Sequence, residues 1–124
     1  MALDKEKFEW LLSKGLRHGG STHSIEDVLS ALHSGELKAH FSEDGMIMTK
    51  FAEYPERKIL ELFMAVGDQD AISKIFLEQV VSHGQETGAD CVRAIVRPGL
   101  VDLFKSLGAK SRGTMMYRPL LTEV

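Results

Sequence analysis

The sequence predicts an α/β domain built on a mixed β-sheet, and three observations carry that prediction. The chain opens with two segments whose apolar residues recur at helical spacing. Its middle changes to strand-like segments around Asp44-Gly45, a dipeptide typical of tight hairpin turns. The second half alternates strands with helices, which predicts at least one parallel pair of strands joined by a crossover helix.

Two amphipathic helices come first. The apolar stripe of the first consists of Phe8, Leu11, Leu12 and Leu16. The second begins at a variant of the capping box, Ser24-Ile-Glu-Asp27, and Gly35 stands where a left-handed residue ends a helix. Both helices are modest in length, so each is expected to dock on another element.

Strands and helices then alternate. The predicted strands cover 37–41, 46–51, 59–66, 91–96 and 114–121. A helix with its stripe from Ile72 to Val80 ends near Gly84 or Gly88, and a shorter helix from Leu100 ends at Gly108. The predicted order is α-α-β-β-β-α-β-α-β, within one domain over residues 1–124.

The composition is that of a globular domain and argues against several classes of protein. The chain has 124 residues, of which 44% are hydrophobic and 27% charged, as expected of a globular domain. No run of about 18 apolar residues suggests a membrane span, and the acidic N-terminal segment does not resemble a secretory signal. A net charge of −3 argues against a nucleic-acid partner. One cysteine, Cys91, rules out an internal disulfide and favours the cytoplasm.

The element order and the segment GADCVRAIVRPGLVDLFKSLGAK resemble the GNAT (Gcn5-related N-acetyltransferase) family. In that family a strand precedes a short helix that ends in a leucine-glycine step, the cadence of Leu103 to Ala109. The resemblance implies a mixed, mainly antiparallel sheet with helices on both faces, here without the usual first strand. The whole chain is also similar to small GNAT-like proteins encoded by bacteriophages.

The resemblance implies a site for acetyl-CoA along the edge of the strand 59–66. The cofactor would contact Met64, Ala65, Val66 and Gly67, and its pyrophosphate would rest on the following loop as far as Ala71.

That loop departs from the family pattern. The pattern Gln/Arg-x-x-Gly-x-Gly/Ala would cover residues 66–71, where only Ala71 fits. Asp68 and Asp70 stand where phosphates would lie, and an aspartate at a helix start caps the backbone donors that an anion needs. We interpret GDQD as a helix cap and the cofactor loop as broken. The alternative is a divalent metal that bridges Asp68 or Asp70 to the phosphates and so removes the repulsion between them.

Acetyl transfer also needs a general base and a general acid. The family's tyrosine acid, four residues before the helix-ending glycine, is replaced by Phe104. Glu61 on the central strand is a candidate base, with pairing to a nearby Arg or Lys as the structural alternative. Tyr117 is a candidate hydroxyl donor, with packing in the last strand as its alternative.

Three further features of the sequence concern anion, metal and partner binding. Arg93 and Arg97, two strand periods apart, form a candidate anion site, with a solvated or structural role as the alternative. The five histidines lack the spacing of a zinc site, and we expect no metal. Trp10 lies off the apolar stripe of its helix and is a candidate contact for a protein partner or a second copy.

Two functions follow from these patterns. The first is a non-catalytic, degenerate GNAT-like domain that acts as a protein-binding accessory or structural component, without a cofactor. The alternative is an acetyl-CoA-dependent N-acyltransferase with an atypical cofactor loop. The broken loop and Phe104 favour the first.

Overall fold

The computed structural model describes residues 5–18, 23–96, 98–114, 116 and 118–120. The chain divides into two compact units, Met1–Ala94 and Ile95–Val124. The first unit contains the whole sheet and most of the helices. The expectation of one domain over residues 1–124 stays a prediction.

Two helices precede the sheet, as predicted. Helix α1 spans Lys5–His18 and helix α2 spans Ile25–Ser34. The capping box of α2 is complete, because the Asp27 N–H donates to Ser24 Oγ at 3.1 Å and the Ser24 N–H donates to Asp27 Oδ2 at 2.9 Å. Gly35 ends the helix with φ of 88°, the left-handed conformation that the sequence predicted.

The four strands of the first unit form a single sheet in the order β1-β2-β3-β4. They are β1 (Lys38–Ser42), β2 (Gly45–Glu53), β3 (Lys58–Gly67) and β4 (Cys91–Ala94). The first three pair antiparallel and β4 pairs with β3 in parallel. Ser42 pairs with Gly45, so the predicted hairpin turn has only Glu43 and Asp44 between its strands.

The crossover from β3 to β4 differs from prediction in one respect. It consists of α3 (Gln69–Ile75), a π-helical turn (Phe76–Val80) and α4 (Val81–Thr87), closed by Gly88 in the left-handed conformation. The sequence predicted an uninterrupted α-helix. Apolar spacing carries no signal for the π turn, because its buried residues face the sheet in either form.

Helices cover both faces of the sheet, as predicted. On the α1 and α2 face, a buried cluster joins the helices to the methionines and valine of β2 and β3. It consists of Leu11, Leu12, Val28, Leu37, Met46, Met48, Met64 and Val66. On the opposite face α3 packs so closely on β2 that a Cβ added to Gly45 would lie 3.1 Å from the Cβ of Ala71. Ile72, Ile75 and Val80 are buried on that side.

The second unit contains a 3₁₀ turn (Pro98–Leu100) and helix α5 (Val101–Ser106), with Gly108 in the left-handed conformation. The strand predicted over 114–121 is wrong for the residues described there, which are exposed and outside any strand. A strand needs a partner edge for its backbone groups, and Pro119 has no N–H to donate. The strand predicted over 91–96 ends earlier, at Ala94.

No helix in the described part of the chain is long and apolar enough to span a bilayer.

Candidate functional site

The candidate site centres on the loop that joins β3 to α3. Gly67 has φ of 129°, which favours glycine. A Cβ added there would lie 2.5 Å from the Cα of Gly45 and would overlap the carbonyl oxygen of Asp44. The next amide, that of Asp68, donates a hydrogen bond to the same carbonyl oxygen at 3.1 Å. The loop is therefore packed against the β1–β2 turn, and only glycine fits at its start.

The carboxylate of Asp68 caps α3. Its Oδ1 accepts hydrogen bonds from the N–H of Asp70 at 2.8 Å and of Ala71 at 3.4 Å. The Asp68 carbonyl accepts the N–H of Ile72 at 3.0 Å. The N–H groups of Asp70 and Ala71 are among those that would bind an anion at the start of a helix. The interpretation of GDQD as a helix cap is confirmed.

The surroundings of this loop are acidic, and most of its backbone donors have partners within the protein. Its backbone donors at Asp68, Asp70 and Ala71 are already engaged within the protein. The carboxylates of Asp44, Asp68 and Asp70 are exposed beside it and would repel a phosphate. Lys7, the nearby cation, lies with its Nζ 3.5 Å from Asp44 Oδ1.

The strand that precedes the loop has an open edge. β3 and β4 are paired from Ile59–Cys91 to Leu62–Ala94. Beyond that point, residues Met64 to Gly67 of β3 pair with β2 alone in the described ladders. The side chains of Met64 and Val66 are buried in the core, so this edge offers mainly backbone groups. An extended ligand can hydrogen-bond to such an edge.

Glu61, the candidate base, is held in an ion pair. Its Oε2 accepts a hydrogen bond from Arg93 Nη2, and its Oε1 accepts one from the Tyr54 hydroxyl at 3.4 Å. Arg93 Nη2 also donates to the Tyr54 hydroxyl at 3.1 Å. The hydrogen bond to Glu61, followed by the one to the Tyr54 hydroxyl, raises the pKa of Arg93 above its ordinary value. The structural alternative for Glu61, pairing with an arginine, is what the structure contains.

The remaining predicted residues are not brought together in the described structure. Arg97 and Tyr117 lie outside the described residues. Arg93 donates a hydrogen bond to Glu61, and its strand β4 ends at Ala94. Phe104, which replaces the family's tyrosine acid, is buried in the second unit.

A groove beside the loop adds Lys7 and Lys14, which the sequence analysis did not identify, to Trp10, Gly67 and Asp68, which it did. It has a volume of about 280 Å³ and is lined by Lys7, Trp10, Lys14, Asp44, Gly67 and Asp68. Trp10 is 55% exposed, in agreement with its position off the apolar stripe. The spacing of Lys7, Trp10 and Lys14 at i, i+3 and i+7 places them on one face of α1. That spacing was a signal available in the sequence.

Two histidines lie together on the α4 face of the sheet. His40 is only 4% exposed and its Nε2 lies 3.1 Å from the hydroxyl of Thr49. The rings of His40 and His83 have centroids 5.2 Å apart. Burial, followed by the charges of His83 and Lys38, lowers the pKa of His40 to about 4. No group of three or more metal-ligating side chains forms among the described residues.

Comparison with solved structures places the fold. A predicted acetyltransferase from Clostridium acetobutylicum, solved with acetyl-CoA, superposes with a TM-score of 0.68 over 97% of this chain and 94% of its own, at 13% identity. An aminoglycoside acetyltransferase from a soil metagenome, in complex with trehalose, gives 0.70 over 95% and 91%, at 16% identity. Glucosamine-6-phosphate N-acetyltransferase from Arabidopsis thaliana gives 0.64 over 85% and 88%, at 12% identity.

No protein-family model and no curated protein matches the sequence. The structural similarity at these identities establishes the fold alone. The protein has a GNAT-like acetyltransferase fold, with a four-stranded, mainly antiparallel sheet between helices. The prediction of the fold class is confirmed.

Proposed function

We propose that the domain is a non-catalytic form of the GNAT-like fold that serves as a protein-binding accessory or structural component. The observation that carries this proposal is the Asp68 cap. Its carboxylate holds the two amides at the start of α3 that a cofactor phosphate would need. A bacteriophage origin stays a prediction from the sequence resemblance.

The surroundings of Glu61 also support a non-catalytic role. A general base must be free to accept a proton from the attacking amine. Both carboxylate oxygens of Glu61 are engaged, because Oε2 accepts a hydrogen bond from Arg93 and Oε1 accepts one from the Tyr54 hydroxyl. Phe104 has no proton to donate to a leaving thiolate. The engagement of Glu61 and the phenylalanine at position 104 therefore support a non-catalytic role.

The exposed Trp10 supports a role in binding a protein partner instead of in catalysis. Its indole is exposed on a helix whose other aromatic residue, Phe8, packs against the core. Large exposed aromatic side chains are enriched at protein–protein contacts. A protein partner or a second copy of this chain is the proposed occupant of the α1 surface.

An acetyl-CoA-dependent N-acyltransferase is the second candidate. One specific observation favours it: β3 loses its β4 partner after Leu62, which leaves its backbone from Met64 to Gly67 open on one edge. A structural neighbour of known cofactor content was solved with acetyl-CoA. In this reading the pantetheine arm would bind along that edge, and the phosphates would need another site.

Calorimetric titration with coenzyme A and acetyl-CoA, with and without magnesium, separates the two functions. The non-catalytic proposal expects no heat of binding up to about 1 mM ligand, where the binding free energy is about −4 kcal/mol. Micromolar binding would overturn it in favour of the acyltransferase. Binding seen only with magnesium would overturn the argument from charge, because the metal would then bridge the aspartates and the phosphates.

A further inference from the structure

The groove beside α1 shares Gly67 and Asp68 with the β3–α3 loop and adds an exposed face of α1. One wall is the face of α1 that carries Lys7, Trp10 and Lys14. The opposite wall is made by the β1–β2 turn and the β3–α3 loop, where Gly67 contributes no side chain. All of its lining residues belong to the first unit.

The charged side chains that line the groove differ in the partners they have within the protein. Lys7 pairs with Asp44 at 3.5 Å, and the Asp68 carboxylate accepts two backbone N–H groups. Lys14 has no carboxylate partner in the described part of the chain, and its Nζ lies 5.0 Å from the centroid of the Trp10 ring. The groove therefore presents an ammonium group and an exposed indole that the protein leaves available to a ligand.

The volume of the groove and the charges that line it limit which ligands it can bind. A cavity of about 150 Å³ is enough for a benzene ring, so the 280 Å³ here holds one ring with a small substituent. A planar ring gains by stacking on tryptophan. The nearby carboxylates of Asp44 and Asp68 would repel a dianion such as a phosphate ester, whereas a single negative charge is matched by Lys14.

We propose that this groove binds a small aromatic carboxylate. The ring lies against the Trp10 indole and the carboxylate pairs with the ammonium group of Lys14. The ammonium group then moves from the indole face to the ligand, so that both contacts form without a change in the backbone. Because the ligand has about ten non-hydrogen atoms, its dissociation constant falls in the range of about 0.1–5 mM.

The protein offers a specific reporter, because Trp10 is its only tryptophan. Titration with benzoate is followed on the single indole N–H resonance in ¹H–¹⁵N spectra. We expect a saturable shift with benzoate, little or none with benzylammonium, and a weaker effect with cyclohexanecarboxylate, which has the charge without the planar ring. Equal shifts from benzoate and benzylammonium would overturn the charge assignment, and no saturable shift up to about 20 mM benzoate would overturn the site.

Two lysine variants of α1 complete the test. Lys14→Gln is expected to weaken benzoate binding about two- to fivefold, from the loss of a partly screened charge pair. Benzyl alcohol, which has the ring without the charge, is expected to cause the same weak shift in this variant as in the unmodified protein. Lys5→Gln removes an exposed charge from the same helix outside the groove, so it is expected to bind benzoate as the unmodified protein does. Equal losses in the two variants would mean that long-range charge, not the groove, attracts the anion.

Discussion

Replacing Asp68 by alanine tests the cap that closes the start of α3. The substitution removes the acceptor of the Asp70 and Ala71 amides, whose bonds to Oδ1 are 2.8 and 3.4 Å long. Two consequences are expected together. The domain loses stability, and the freed amides become able to bind a phosphate of coenzyme A.

The magnitudes follow from the contacts. Loss of an N-cap side chain costs about 0.5–2 kcal/mol of unfolding free energy. The same hydrogen bonds no longer compete with a phosphate. Removal of a carboxylate about 5 Å from a phosphate charge relieves a further repulsion of about 1 kcal/mol in water. Together these terms tighten coenzyme A binding about 10- to 100-fold.

Two matched variants separate the cap from the charge. Asp68→Asn keeps a capping side chain but removes the charge, and Asp70→Asn removes a charge from the same turn without touching the cap. Each is expected to tighten binding only about fivefold, the equivalent of about 1 kcal/mol. Calorimetric dissociation constants and urea unfolding of all three variants are the measurements. If Asp68→Ala binds coenzyme A no better than Asp70→Asn, the cap is not what closes the site.

Three further predictions concern the fold. The pKa of His40 is lowered to about 4 from an ordinary 6.5, so the unfolded chain binds more protons between those values. Stability is therefore complete above about pH 6.5 and falls by about 3 kcal/mol as the pH approaches 4. Urea unfolding across this range is expected to show the slope, and His40→Gln to flatten it; an unchanged slope in the variant would assign it elsewhere. Gly67→Ala is expected to cost about 3 kcal/mol or more, because a positive φ is combined with overlap on the β1–β2 turn. Gly35→Ala, with φ of 88° and no neighbour within 4 Å, isolates the conformational part at about 1–2 kcal/mol, and equal losses would contradict the overlap. Gly15→Ala is expected to cost about 1–3 kcal/mol, because its Cβ would lie 2.7 Å from Cγ of Met64. Adding Met64→Ala should make the Gly15 substitution less costly in a double-mutant cycle, whereas simple additivity would show that α1 does not press on β3 there.

Local patterns in the sequence were reliable where one short segment determines the geometry. The capping box at Ser24 and the left-handed Gly35 were predictable because a helix end is satisfied by residues within four positions of it. The Asp68 cap was predictable for the same reason. The strand predicted over 114–121 was wrong because a strand depends on a partner edge that composition does not reveal.

The candidate site was only partly predictable. The sequence identified the β3–α3 loop and the exposed Trp10, and it left open whether Glu61 acts as a base or as half of an ion pair. Arg93 was a candidate anion site because the residues of its own strand do not indicate which side chain lies opposite it on the neighbouring strand. The ion pair between Glu61 and Arg93 follows from the parallel register of β3 and β4, which sets the two residues opposite each other.

Periodicity and contacts between near neighbours in the chain were enough to predict the order of helices and strands as far as α5, the fold class and the helix cap at Asp68. Tertiary structure alone decided what those elements form together. It placed Lys7, Trp10 and Lys14 opposite Asp44 and Asp68, paired Glu61 with Arg93, and left the end of β3 without a β4 partner. Each of these depends on segments far apart in the chain, such as Lys7 and Asp44 at a separation of 37 residues and Glu61 and Arg93 at 32, whose approach is set by packing on the two faces of the sheet.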